Sequence, residues 1–207
     1  MLKQLQTIQD KFIETRTNEL AFRKEIEKKI TNIKQAGYMT NVMYNKIAEV
    51  KNELTPFMNN ARSELLSVIR EQMADIKEQG QKNVNSPLDP NIESYLAIVK
   101  SIDDPNSLEV KAILDKLSGN YLTFRALIGA FKVNGVQVYH TNTLDDFYRD
   151  VEEVQNKLER AHLVGCDSYT FNMLANTTAQ FDVFNEYLEP FVTGKFTYML
   201  KDGTNNY

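Results

Sequence analysis

The chain has 207 residues, 42% of them apolar and 25% charged, with a formal net charge of −4. That is room for one substantial domain, or for one domain with a helical appendage. The acidic balance argues against nucleic acid as the main partner, because phosphate binding needs a positive surface. A single cysteine, Cys166, excludes an internal disulfide and fits a reducing compartment.

Charge is unevenly placed along the chain. Residues 1–82 hold 14 Lys and Arg against 11 Asp and Glu, a net of +3, whereas residues 83–207 hold 10 against 17, a net of −7. Such asymmetry favours head-to-tail association between copies or docking of the basic half on an acidic partner, against a background in which salt screens exposed charges over roughly 10 Å. The opening Met1, Leu2, Lys3 and Gln4 lack the apolar run of a signal peptide. No stretch approaches the ~18 apolar residues of a membrane span. The expected setting is cytoplasmic, with no membrane contact.

The first 82 residues contain one Pro, two Gly and five of the 21 aromatics, and are rich in helix formers. Leu2, Leu5, Ile8 and Phe12 form a first apolar stripe at helical spacing. Ile26, Ile30 and Ile33 form a second, and Met43, Ile47, Val50 and Leu54 a third. The phase slips between Ile33 and Met43, with Gly37 at the slip, which predicts a kink or turn over 35–40 instead of one rod. Heptads are not sustained, so a long regular coiled coil is not expected. Pro56 suits a helix first turn. A further amphipathic helix runs through Met58, Ala61, Leu65, Ile69 and Ile76 and closes near Gly80. Narrow stripes with charged opposite faces require a companion helix, from the same chain or another.

Residues 79–91, with two Pro, a Gly and three Asn, read as a linker. The predicted division is therefore an amphipathic helical region over 1–82, a linker over 83–91, and an α-rich aromatic-core domain over 92–207. Helices are expected over 92–101 and 108–117. Residues 121–139 are ambiguous: Tyr121, Phe124, Leu127 and Phe131 have helical spacing, yet Asn134-Gly135 between alternating apolar residues is a hairpin signal. The reading adopted is a helix running into a short ribbon, with Phe196, Tyr198 and Leu200 as an optional third strand. Thr143, with Asp146 three residues on, opens a helix through Phe147, Val151, Val154 and Leu158. Ser168 is a candidate cap for another, stopped at Pro190. The fold class is mainly α, an N-terminal helical hairpin or bundle followed by a helical domain with a small β-hairpin or three-stranded ribbon.

Catalytic patterns are sparse. His140 and His162 are the only histidines, without a partner at metal-ligand spacing, so no metal is expected. A Cys166–His140 or Cys166–His162 pair is chemically conceivable, but Asp167 beside the thiol disfavours a thiolate, and His162 at a helix end complements the dipole. Adjacent acids at 103–104, 145–146 and 152–153 belong to helix starts or solvated faces. No glycine pattern cradles a phosphate, so no cofactor is expected. The dense aromatics of the second half read chiefly as core.

These observations predict a non-enzymatic assembly or interaction protein. Its partners would be copies of itself or another protein, bound through Ile26, Ile30, Ile33, Met43, Ile47, Val50 and Leu54. The helix-rich, Asn-, Lys- and Glu-heavy texture resembles small phage-encoded virion or scaffolding-type proteins, which implies incorporation into a virion. The alternatives are a monomeric adaptor or regulator docking on another protein, and an enzyme with an unfamiliar site around His140.

Overall fold

The computed structural model describes residues 1–102, 108–135, 138–140, 143–163, 178–196 and 198–200, and the chain is mainly helical. Helix α1 (Lys3–Gln35) is followed by α2 (Thr40–Asn52) and α3 (Leu54–Val84). Then come α4 (Ile92–Lys100), α5 (Leu108–Leu117), α6 (Tyr121–Val133), strand β1 (Val138–His140), α7 (Leu144–Leu163), α8 (Thr178–Thr193) and strand β2 (Tyr198–Leu200). The chain forms two compact units, one of residues 1–73 with 155–182, the other of 74–154 with 183–207. Their boundaries fall inside α3, α7 and α8, not in the predicted linker at 83–91.

In the first unit α1 runs without interruption to Gln35, and Gly37 in the left-handed region (φ 69°) turns the chain into α2. The turn expected over 35–40 is present. Lys11 pairs with Glu64, Phe22 stacks on Phe57 and Lys29 pairs with Glu53, so α1 runs antiparallel to the first part of α3. Pro56 occupies the first turn of α3, where its missing N–H costs nothing. Leu5, Ile8, Phe12, Met58, Leu65 and Ile69 are buried along this seam.

The second unit is built on aromatic rings. Phe147 stacks on Phe191 at 4.5 Å, Phe196 meets Phe191 edge-on at 5.3 Å, and Tyr121 meets Phe196 at 5.0 Å. Offset and edge-to-face pairs of this kind add to the stabilisation from buried area alone. Helix α3 does not close at Gly80 but continues to Val84. Gly80 is buried within the helix, and a Cβ there would strike the Phe147 ring. The roughly 1 kcal/mol cost of an interior glycine is offset by letting the ring lie against the helix backbone.

Segment 83–91 is tied down. Asn83 donates to the carbonyls of Phe191 and Val192 at 2.7 and 2.8 Å, satisfying the exposed C-terminal end of α8. The Asp89 amide donates to Thr123 Oγ1 at 2.8 Å, and Asn120 Nδ2 donates to the Pro87 carbonyl. This support explains why α8 runs past Pro190, expected to be its stop, to Thr193. The Thr193 hydroxyl also donates to the Glu189 carbonyl, and Phe191 is held in the aromatic cluster.

Asn134 and Gly135 close α6 instead of turning a local hairpin: the Asn134 amide bonds the Ala130 carbonyl and that of Gly135 the Lys132 carbonyl. The helical spacing of Tyr121, Phe124, Leu127 and Phe131 prevails because all four are buried. Strand β1 pairs antiparallel with the sequence-distant β2, Val138 opposite Leu200 and His140 opposite Tyr198. Thr143 caps α7 as its spacing predicts. The Thr143 hydroxyl and amide donate to Asp146 Oδ2, and Thr143 Oγ1 accepts from the Asp146 amide. Cys166, the proposed Ser168 cap and residues 103–107 lie outside the described residues.

Two outcomes follow from these contacts. Gly80→Ala should destabilise the fold by about 1–3 kcal/mol through overpacking against Phe147, seen as a lower Tm at unchanged oligomeric mass. The hydrogen bonds from Thr143, the largest cause, hold the Asp146 carboxyl below its ordinary range. Their stabilisation is present above the unfolded-state value of about 3.9 and is lost as pH falls through the lower folded-state value. Denaturant titrations at neutral pH should show Thr143→Ala costing about 1 kcal/mol, with the gap to wild type closing in strong acid.

Candidate functional site: the α1–α2 hairpin

The residues expected to pair helices are placed along α1 and α2, with Leu54 at the first position of α3. Ile26 is buried, while Ile30, Ile33, Met43, Ile47, Val50 and Leu54 are half-buried. Helices α1 and α2 lie in contact, so the companion surface for these side chains is supplied first by the same chain. None of the residues of α2 is fully buried, in contrast to the buried Leu5, Ile8 and Phe12 at the other end of α1.

Lys29 bridges the two strands of the hairpin, 2.8 Å from Glu53 and 3.1 Å from Glu25. The hydrogen bond to Glu53, followed by that to Glu25, raises the lysine's affinity for its proton. Being exposed, the pair sets register more than it adds stability. At the apex Lys46 lies 5.1 Å from the centre of the Tyr38 ring, a cation–π contact that orders the first turn of α2. Tyr38, Met39, Val42 and Tyr44 remain exposed around this apex, Met39 at 78%.

A further feature of α1 joins the first two stripes. Continuing from Phe12 at three- and four-residue steps gives Thr15, Arg16, Glu19 and Phe22 before Ile26. Thr15, Arg16 and Glu19 are all buried, Glu19 completely. Both Glu19 carboxylate oxygens and the Nε atoms of Arg23 and Arg62 are buried without a hydrogen-bond partner among the described residues. The apolar seam of α1 is therefore continuous in geometry but interrupted in chemistry by a polar layer at mid-length. Such layers penalise helix pairings that are out of register, at a cost in stability. The spacing alone held the signal; the polar identity of the residues concealed it.

Among the described residues no group of three or more His, Cys, Asp or Glu is placed to hold a metal ion. The backbone of His140 lies in β1 opposite Tyr198. Among the described residues, no helix is long and apolar enough to cross a membrane.

Replacing the buried carboxylate by an apolar side chain of similar length removes a desolvation cost. Glu19→Leu should accordingly raise Tm, whereas a fall of several degrees would mean that the carboxylate is tightly paired in solution. No family model, no curated protein and no solved structure matches the chain.

Proposed function

We propose that this is a non-enzymatic structural or assembly protein that associates, with copies of itself in the first place, through the α1–α2 hairpin. The observation that carries this reading is the incomplete cover of the hairpin seam. After α1 and α2 have packed together, Ile30, Ile33, Met43, Ile47, Val50 and Leu54 are still only half-buried. Each fully buried aliphatic side chain is worth about 1.5–3 kcal/mol relative to exposure. A third helix laid along the seam therefore recovers much of what the hairpin leaves in water.

The alternation of apolar and charged faces supports protein–protein contact over other modes. The polar layer at Glu19 supports a defined register. A scaffolding or virion role would use such an element directly, since assembly proteins need many identical contacts from one short gene product. The same seam would equally serve a monomeric regulator docking on a different protein, which would leave the purified chain at its own mass.

Sedimentation equilibrium separates these outcomes. The wild-type chain should run above its 23.9 kDa and gain mass with concentration. Ile30→Asp/Ile47→Asp should return it to 23.9 kDa, with circular dichroism showing the helices retained. A wild-type mass that stays at the monomer value at every concentration defeats the self-association reading.

A further inference from the structure

We propose that the apex of the α1–α2 hairpin in one copy docks on the outer face of α8 in a second copy, a basic aromatic surface meeting an acidic aromatic one. The proposal rests on the self-association reading above and names the two surfaces involved. Scattered exposed apolar side chains are ordinary. Among the described residues, six of them form two groups whose charged neighbours are of opposite sign.

The first group is the apex. Tyr38 (45% exposed), Met39 (78%), Val42 (38%) and Tyr44 (64%) lie within seven consecutive residues around the turn. The stretch 28–51 around them contains five lysines and a single acid, Glu49. Lys29 is held by Glu25 and Glu53. Lys28, Lys34 and Lys51 are exposed and have no ion-pair partner among the described residues, which leaves their charge for an external surface.

The second group is on α8. Its sixteen residues include Asp182, Glu186 and Glu189 and no Lys or Arg. Val183 (41% exposed) and Tyr187 (47%) stand one turn apart on the outer face, beside the exposed Asp182 and Glu186. The inner face is spoken for by Phe184, Leu188 and Phe191, all buried. The outer pair of an aliphatic and a tyrosine, flanked by carboxylates, is the chemical complement of a turn presenting tyrosines and a methionine flanked by lysines. Aromatic and methionine side chains are enriched where proteins meet, and charge complementarity fixes the orientation and speeds the encounter.

The two surfaces differ, so the contact is heterologous, and a copy that uses its apex still offers its α8 face. Association of this kind either closes into a ring or continues as a filament. With so few anchoring side chains, one contact sits at the low end of specific interfaces, below about 1,200 Å². It becomes stable only through repetition along the assembly.

Charge reversal on each side tests the pairing in the full-length chain. Lys28→Glu/Lys34→Glu/Lys51→Glu gives a molecule acidic on both surfaces, and Asp182→Lys/Glu186→Lys one basic on both. Each alone should lose the concentration-dependent mass of the wild type. An equimolar mixture should recover it, because each variant then meets its opposite. A folding defect would not be rescued by mixing. Wild-type association should also slow by roughly tenfold or more between low and high salt.

Unaltered association of the single variants, or failure of the mixture to recover, overturns the proposal. If those variants associate normally while Ile30→Asp/Ile47→Asp does not, the seam reading stands and this pairing falls. A wild type that remains a monomer yet binds phosphatidylserine vesicles through Lys34 and Lys51 would assign the apex to an anionic membrane surface and likewise overturn the second-copy contact.

Discussion

The apolar seam of α1 is about one helix face wide, and a seam that narrow becomes dry only when other helices lie along it. At its N-terminal end that condition is met: Leu5 and Ile8 are fully buried and Phe12 nearly so. Toward Gln35 α1 lies against α2, and the same kind of side chain is left half in water. The gradient from dry to half-wet along one continuous helix is the physical basis for reading the α1–α2 hairpin as an interaction element. It also places half-buried apolar side chains within a lysine-rich stretch of the chain.

Two devices hold the hairpin in one alignment. Phe22 stacked on Phe57 at 4.1 Å and Lys29 between Glu25 and Glu53 fix where α1 meets its neighbours. The buried Glu19, with Thr15 and Arg16, penalises a slip that would place it against a purely apolar surface. The second unit solves a different problem. Its stability lies in large rings packed around Phe191, with backbone ends satisfied by asparagines: Asn83 at the end of α8 and Asn120 at the start of α6. That unit is packed with aromatic rings in its interior and carries an excess of acidic residues.

An uneven charge distribution acquires meaning in this setting. The basic excess of residues 1–82 gathers around a turn with four exposed apolar side chains, and part of the acidic excess lies on a helix with two. Neither patch is large. Together they have the form expected of a weak, repeatable and salt-sensitive contact, which differs in kind from the apolar seam between α1 and α2.

The sequence by itself determined the helical character, the turn between α1 and α2, the cap at Thr143 and the apolar spacing from Ile26 to Leu54. Those properties are local: spacing of apolar residues, a glycine at a phase slip, and a threonine three residues before an acid. Tertiary structure decided what depends on contacts across long stretches of chain. Gly80 reads as a helix end until Phe147 is seen against it, and Pro190 as a stop until Asn83 and the aromatic cluster are seen holding the last turn of α8. Asn134-Gly135 reads as a hairpin until the burial of Phe131 commits the preceding residues to α6 and β1 finds β2 instead. Glu19 was concealed for the same reason: only the packing of other helices around α1 reveals that a carboxylate sits where a leucine would be expected.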